Sequence, residues 1–325
     1  MKKVLIALAI LIMIFTGFVV YKDLIKENEN VSSVEEKPLV EGLRIMLLGG
    51  SNRKVDSQEV NQSFIALTSS KELVIVDGGF NNENDTTLIK SLIASYEEDR
   101  QIDHWIITNI DEAHSGVLYN VLNGDMGEYA IKNLYINVPD LKWNEEYNKD
   151  NLEYAKKFLE VLENTRIVRK LHLCEEGKNY TIDNLNMEVL KLDLANAKDL
   201  KTSSVVFKLT ATDINRSMLF LSDYTGDLSY LEEKLNSDIV QVANHGDDER
   251  LDLYDKISPE VALFNCPIEM YLNQGKNGKE NTGKYKTQVL ATHLNENNIK
   301  MYLACDGDQM LHLKKDEIVE LVGKQ

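Results

Sequence analysis

Ile102-Asp103-His104-Trp105-Ile106-Ile107-Thr108 is a short, largely apolar run that passes straight into Asn109-Ile110-Asp111-Glu112-Ala113-His114-Ser115-Gly116. The change of character decides how this region is read. Trp105–Thr108 predicts a strand, and Gly116–Leu122 predicts a short helix behind the polar loop. Two other stretches share the layout of an apolar run followed by a His- or Asp-bearing loop. They are Leu219-Phe220-Leu221-Ser222-Asp223 and Val240-Gln241-Val242-Ala243-Asn244-His245-Gly246. Catalytic and metal-binding groups favour strand ends, because the sheet fixes the base of the loop while its tip stays accessible.

Around these loops, short apolar runs alternate with helical patterns. Leu43–Leu48 predicts a strand, and Ser63–Leu67 and Leu73–Val76 predict a hairpin turning at Thr68-Ser69-Ser70-Lys71. Asp77-Gly78-Gly79 then breaks the chain, and Leu88, Leu92, Ile93 and Tyr96 give Asn84–Glu98 a helical spacing. Asn133–Val138 predicts a strand and Trp143–Asn164 a long amphipathic helix with a charged outer face. Further strands are expected at Ile167–Leu173, Met187–Leu192, Val205–Thr210, Met218–Ser222, Ile239–Val242, Val261–Asn265, Lys300–Ala304 and Met310–Lys314. Helices are expected at Leu228–Leu235, Leu251–Ile257 and Tyr285–Asn295. Mixed strands and helices in two similar halves predict an α/β (α+β) domain of two packed sheets with helices outside.

Composition bounds the function. Hydrophobic residues make up 43% and charged residues 27% of 325, enough to build a substantial core. Lys+Arg is 36 against Asp+Glu 53, a formal net charge of −17, so a broad nucleic-acid surface is not expected. Cys174, Cys266 and Cys305 are widely spaced without a CxxC pair and read as buried, unreactive thiols. Val4–Val20 runs 17 residues without a charge. As a helix it spans roughly 25 Å, close to a ~30 Å hydrocarbon core. Lys2 and Lys3 precede it, which puts the rest of the chain on the outer side by the positive-inside rule. A cleaved signal peptide is the rival reading. Residues 22–41 are polar and charged and read as a tether. The expected organisation is therefore a single-pass transmembrane signal anchor over 1–21, a linker over 22–41 and an extracytoplasmic domain over 42–325. The membrane is the one partner this organisation implies.

Four of these pieces, in this order, resemble the metallo-β-lactamase fold hydrolases. Asp77-Gly78-Gly79 resembles their DGG turn, and Ile102–Thr108 resembles the strand leading into their H-x-H-x-D-H metal loop. Leu219–Asp223 resembles the strand ending in the metal-bridging aspartate, and Ser237–Gly246 resembles the segment ending in HHG. The resemblance runs over about residues 43–313 and is nearest to extracytoplasmic hydrolases related to the hydrolase domain of the DNA-uptake channel. It implies a four-layer αββα sandwich, two divalent metals and metal-dependent hydrolysis. Asp77 would brace the metal loop.

This chain departs from the pattern where the metals would bind. The four motif positions read Asn109, Asp111, Ala113 and His114, and the final pair reads Asn244-His245. Asn109 is a poor Zn²⁺ ligand and Ala113 offers no ligand atom. The middle histidine of the family has no counterpart, since the surroundings of His172 do not match. His114, Asp223, Asp111 and His245 remain as candidates for one divalent metal, Zn²⁺ or Mn²⁺, and two histidines with a carboxylate are a known donor set. With so many positions substituted, a chain that holds no metal stays open too. Asp223 has a second reading as the cap of the turn Tyr224–Asp227, and His245–Asp248 as the loop before a helix. His104, His293 and His312 read as surface or structural residues. Three functions stay open: a family member with a degraded site and weak or no activity, a working mononuclear hydrolase of a phosphodiester or related ester, and a non-enzymatic cell-envelope binding or assembly partner. Nothing in the sequence names a protein partner.

Overall fold

The first strand, β1 (Leu43–Leu47), shows how the chain divides inside from outside. Leu43, Ile45 and Leu47 are fully buried on one face, while Arg44 and Met46 alternate onto the other. The next two, β2 (Ser63–Leu67) and β3 (Leu73–Asp77), are buried at every position, the mark of strands covered on both faces. Computed as a structural model, the chain is described over residues 40–53, 60–97, 99–124 and 129–321. The proposed anchor and nearly all of the linker lie outside the described residues. Among the described residues no helix is long and apolar enough to cross a membrane.

The remaining strands are β4 (Gln101–Ile106), β5 (Ala130–Ile136), β6 (Val168–Leu173), β7 (Asn179–Ile182), β8 (Leu185–Lys191), β9 (Val206–Ala211), β10 (Arg216–Phe220), β11 (Ile239–Gln241), β12 (Val261–Phe264), β13 (Lys300–Leu303), β14 (Gln309–Leu313) and β15 (Ile318–Leu321). They form two sheets. One has eight strands in the order β15-β14-β1-β2-β3-β4-β5-β6, and the other has seven in the order β13-β12-β11-β10-β9-β8-β7. In the first sheet β3 to β6 run parallel, and in the second β10 to β13 do. The chain returns at its end to pair β14 with β1, Leu43 opposite Leu313.

Three apolar layers follow from this pairing. Between the sheets, Phe220 stacks on Phe207 at 4.6 Å and meets Phe64 of the opposite sheet edge-on at 5.3 Å. Each such ring, fully buried, contributes about 1.5–3 kcal/mol from area alone. Outside the first sheet, the helices Glu83–Tyr96, Glu112–Asn123 and Leu152–Asn164 bury Ile89, Ile93, Val117, Val121 and Phe158 around Trp105. Outside the second, Leu251–Ile257 and Thr287–Glu296 bury Tyr254, Ile257, Leu290 and Leu294. The order is helix, sheet, sheet, helix, the four-layer sandwich.

The structure corrects several element expectations. The long helix over Trp143–Asn164 is two helices, Leu141–Tyr147 and Leu152–Asn164, parted at Asn148 (φ −127°, ψ 49°). The asparagines there satisfy each other and the backbone: Asn144 Nδ2 donates to Pro139 O, and Asn148 Nδ2 to Asn144 Oδ1. Such side chains compete with the helix for backbone partners. Leu228–Leu235 forms only a 3₁₀ turn, interrupted at Glu232 (φ 35°). The helix behind the first loop starts at Glu112 rather than Gly116. Strands β7 and β15 were not anticipated.

Candidate metal centre

The three loops sit at the carboxyl ends of parallel strands, where open α/β sheets place their ligand sites. Asp77 closes β3. Its backbone is left-handed (φ 60°), and its peptide oxygen accepts the indole N–H of Trp105 at 2.6 Å. Its buried carboxylate accepts the Gln62 amide at 3.0 Å, the Thr108 N–H at 2.7 Å and the Thr108 hydroxyl at 2.8 Å. His114 stands in the first turn of Glu112–Asn123, with Nδ1 3.0 Å from Asp77 Oδ2. That contact leaves Nε2 pointing away from Asp77, 3.3 Å from Asp223 Oδ2.

Asp223 follows β10, and His245 follows β11. His245 Nδ1 lies 2.8 Å from the carbonyl oxygen of Asn265, which can only accept, so Nδ1 carries the hydrogen. Its Nε2 then faces Asp223 Oδ1 at 3.3 Å. The loop is held from outside by Tyr254, whose hydroxyl accepts the Ala243 N–H and donates to Asp248. Asp77, Ser222, Asn244 and His245 all have positive φ, between 48° and 60°. Left-handed backbone in residues other than glycine costs free energy and concentrates at functional sites.

His114, Asp223 and His245 each offer a ligand atom, and these atoms lie within 4.8 Å of one another. His114 Nε2 stands 3.3 Å from one Asp223 carboxylate oxygen and His245 Nε2 3.3 Å from the other, so both rings face the same carboxylate. His114 Nε2 and Asp223 Oδ1 are buried, and neither has a hydrogen-bond partner among the described residues. Buried polar atoms left without a hydrogen-bond partner are costly in a core, and a cation that displaces the His114 Nε2 proton would satisfy both. The donor set therefore fits a divalent metal.

The charges are strongly coupled. Burial opposes a proton on His114, but Asp223 and Asp77 outweigh it and hold the imidazole well above its usual pKa. Burial alone would raise Asp223, yet His245 and His114 keep its carboxyl far below the ordinary range. Burial pushes His245 below its usual value, against the opposing pull of the Asp223 carboxylate.

Asp111, the fourth candidate ligand, has a contact within its own loop. Its carboxylate accepts the Ala113 N–H as the helix N-cap, and it lies outside the group of three. Asn109 serves the loop: its amide donates to Leu200 O and Ser204 Oγ at 2.8 Å, and its oxygen accepts the Asp111 N–H. Ala113 gives its carbonyl to the Gln62 N–H, and Asn244 Nδ2 donates to Asp247 O. Tyr224 N–H donates to Leu221 O across the turn that contains Asp223, and the Asp223 carboxylate faces His114 and His245. His104 contacts Glu72 and Tyr135, His293 contacts Asp255, and His312 contacts Glu41 O. His172 stacks on Tyr135 at 4.5 Å, away from the centre. Cys174, Cys266 and Cys305 are free thiols; burial pushes Cys174 up to about 12 and Cys305 up to about 11.

Thr108, Ser222, Gln62, Gln241 and Asn265 carry the site without having been singled out in the sequence. The Thr108 and Ser222 hydroxyls meet at 2.7 Å, and Gln241 Nε2 donates to Gln62 Oε1 at 3.1 Å, each joining one sheet to the other. Residue type alone carries no sign of this, because the partners are more than a hundred positions apart.

No protein-family model matches the chain, and no curated protein does. Solved structures do. YhfI from Bacillus subtilis, a metallo-beta-lactamase fold protein, superposes with a TM-score of 0.50 at 13% identity, over 86% of this chain and all of that one. CmlA, a diiron beta-hydroxylase from Streptomyces venezuelae, gives 0.51 at 12% identity, over 85% of this chain and 55% of that one. The two-sheet architecture is the metallo-β-lactamase fold.

Proposed function

We propose that this chain is a metallo-β-lactamase-fold hydrolase that holds a single divalent cation, Zn²⁺ or Mn²⁺, between His114, Asp223 and His245. The observation that carries the reading is the pair of buried polar atoms without a hydrogen-bond partner, His114 Nε2 and Asp223 Oδ1, beside the Nε2 of His245. Asp77 orients one imidazole and the Asn265 carbonyl the other, so both rings offer Nε2 to the same point. Three protein ligands leave positions open, as catalytic sites require. A cation there supplies Lewis-acid polarisation of an ester oxygen and acidifies water to a pKa of about 7. The substrate class we assign is a phosphodiester or related ester. By its sequence resemblance we place the chain beside the extracytoplasmic hydrolases related to the DNA-uptake channel. The uncharged run Val4–Val20 behind Lys2 and Lys3 supports an anchored, extracytoplasmic domain.

One observation favours a second reading. Without a cation, His114 sits as an imidazolium between Asp77 and Asp223, an arrangement that neutralises itself. The site would then be a degraded one, and the chain an inactive binding or assembly module at the cell envelope. Metal content separates the two. The full-length chain is incubated with Zn²⁺ or Mn²⁺, freed of loose ions and analysed for metal, beside His245→Ala and Asp223→Asn. About one ion per chain, lost in both variants, supports the hydrolase. No retained ion in the parent chain overturns it in favour of the ion-paired module.

A further inference from the structure

A cavity of about 700 Å³ opens under the segment 267–286, and its walls are continuous with the loop that carries His245. Pro267, on its wall, is two residues past Asn265, whose carbonyl holds His245. On the other flank, Lys286 N–H donates to Asp247 Oδ1 at 2.8 Å, two residues past His245. Val60 adjoins Asn61, which packs against the Asp77-Gly78-Gly79 turn.

The segment is shaped in advance. Asn273 O accepts the Thr282 and Gly283 N–H groups at 3.1 and 2.8 Å, and Asn273 Oδ1 accepts the Tyr285 N–H at 2.9 Å. Its charge runs against the rest of the chain. Residues 267–286 hold Lys276, Lys279, Lys284 and Lys286 against Glu269 and Glu280, four positive and two negative, a net +2 in a chain of −17. Lys276 and Lys284 line the cavity with one carboxylate, Glu269; neither lysine pairs with a carboxylate among the described residues, and Lys284 lies over the Tyr285 ring at 5.4 Å, whereas Lys286 pairs with Glu249 at 3.5 Å. Val60, Pro267, Met270 and Tyr285 supply an apolar wall. A cavity of this size takes a small organic molecule, with apolar lining for its body and a few charged groups for orientation.

We propose that this cavity is the substrate subsite and that it takes an organic anion: Lys276 and Lys284 hold the anionic group and the Val60–Met270–Tyr285 wall holds the apolar body. The assignment of the ligand as substrate rests on the hydrolase reading above; its binding does not. A molecule of net −17 repels anions at long range, so a local cationic lining is what admits one.

The test is a titration of full-length protein with bis(4-nitrophenyl) phosphate at low salt, followed by calorimetry with and without added Zn²⁺. Metal content is measured on the same samples. The double variant K276A/K284A is expected to bind about tenfold more weakly, since each exposed ion pair contributes modestly. Its metal content should match the parent, because neither lysine touches a ligand residue. Raising the salt should weaken the parent more than the variant. Lysine-dependent binding to protein that retains no metal supports the anion subsite and removes the hydrolase reading. Equal affinity of parent and variant, or equal affinity for the neutral tris(4-nitrophenyl) phosphate, overturns the subsite whatever the metal content.

Discussion

Nδ1 of His114 lies 3.0 Å from Oδ2 of Asp77, and neither side chain is exposed to solvent. The geometry fixes a proton on Nδ1 and turns Nε2 toward Asp223. Asp77 is itself immobile, because Gln62 and Thr108 occupy its other lone pairs. The aspartate of the DGG turn therefore sets the direction of a ring 37 positions later.

Asp77→Asn tests this directly. The amide keeps the volume but removes the charge and replaces one acceptor with a donor. Metal affinity should fall about 10- to 100-fold, the usual cost of losing a group that orients a ligand. Thermal stability should also fall, by about 1–3 kcal/mol, since the new N–H₂ faces donors in a dry site. Competition against a chelator and a melting curve read the two effects. An unchanged metal affinity would mean that Asp77 does not orient His114.

Asp111→Ala separates capping from ligation. The side chain accepts the Ala113 N–H at the start of Glu112–Asn123, and its loss should cost about 1 kcal/mol. Metal occupancy should stay at the parent level, because the carboxylate lies outside the group of three. Elemental analysis showing loss of metal in this variant would return Asp111 to the ligand set.

The strand-end loops were legible because apolar runs ending in Asp or His stand out against a polar background. The hairpin at Thr68–Lys71 was legible for its turn residues, and the two-sheet sandwich for the alternation of elements. Other features had no local signature. Asp111 reads as a ligand until the helix start is known, and that start lies four residues before the expected Gly116. The break at Asn148 depends on side chains choosing each other over the helix. The bridges Thr108–Ser222 and Gln62–Gln241 exist only once two sheets face each other. Left-handed backbone at Asp77, Asn244 and His245 is a property of tertiary packing, though Asp, Asn and His are the types that tolerate it.

His172 should make stability depend on pH. Burial, with Lys170, His104 and Lys178 nearby, holds its pKa below the usual value in the folded chain. The unfolded chain therefore binds the proton more readily. Stability from this group is full above about pH 6.5 and is lost as pH falls from there toward the folded pKa. His172→Phe keeps the stack on Tyr135 and removes the titration. Melting temperatures at pH 8 and pH 5 should differ less for the variant than for the parent. An identical drop in both would place the pH dependence elsewhere.

Gly79 and Gly177 form a matched pair for separating backbone strain from crowding. Both have positive φ, 103° and 81°. A Cβ at Gly177 would meet nothing within 4 Å, so Gly177→Ala should cost only the strain, on the order of 1 kcal/mol. A Cβ at Gly79 would stand 2.9 Å from Asn61 Nδ2 and 3.0 Å from Asp85 Oδ2. Asp85 cannot yield easily, because it accepts the Ser51 and Phe80 N–H groups at 2.8 and 3.0 Å. Gly79→Ala should therefore cost more, about 2–4 kcal/mol. It should also weaken metal binding, since the displaced turn carries Asp77. Denaturant melts of the two variants, with metal content measured on each, check both points. Equal destabilisation, or full metal retention in Gly79→Ala, would show that the turn absorbs the methyl group without moving the aspartate.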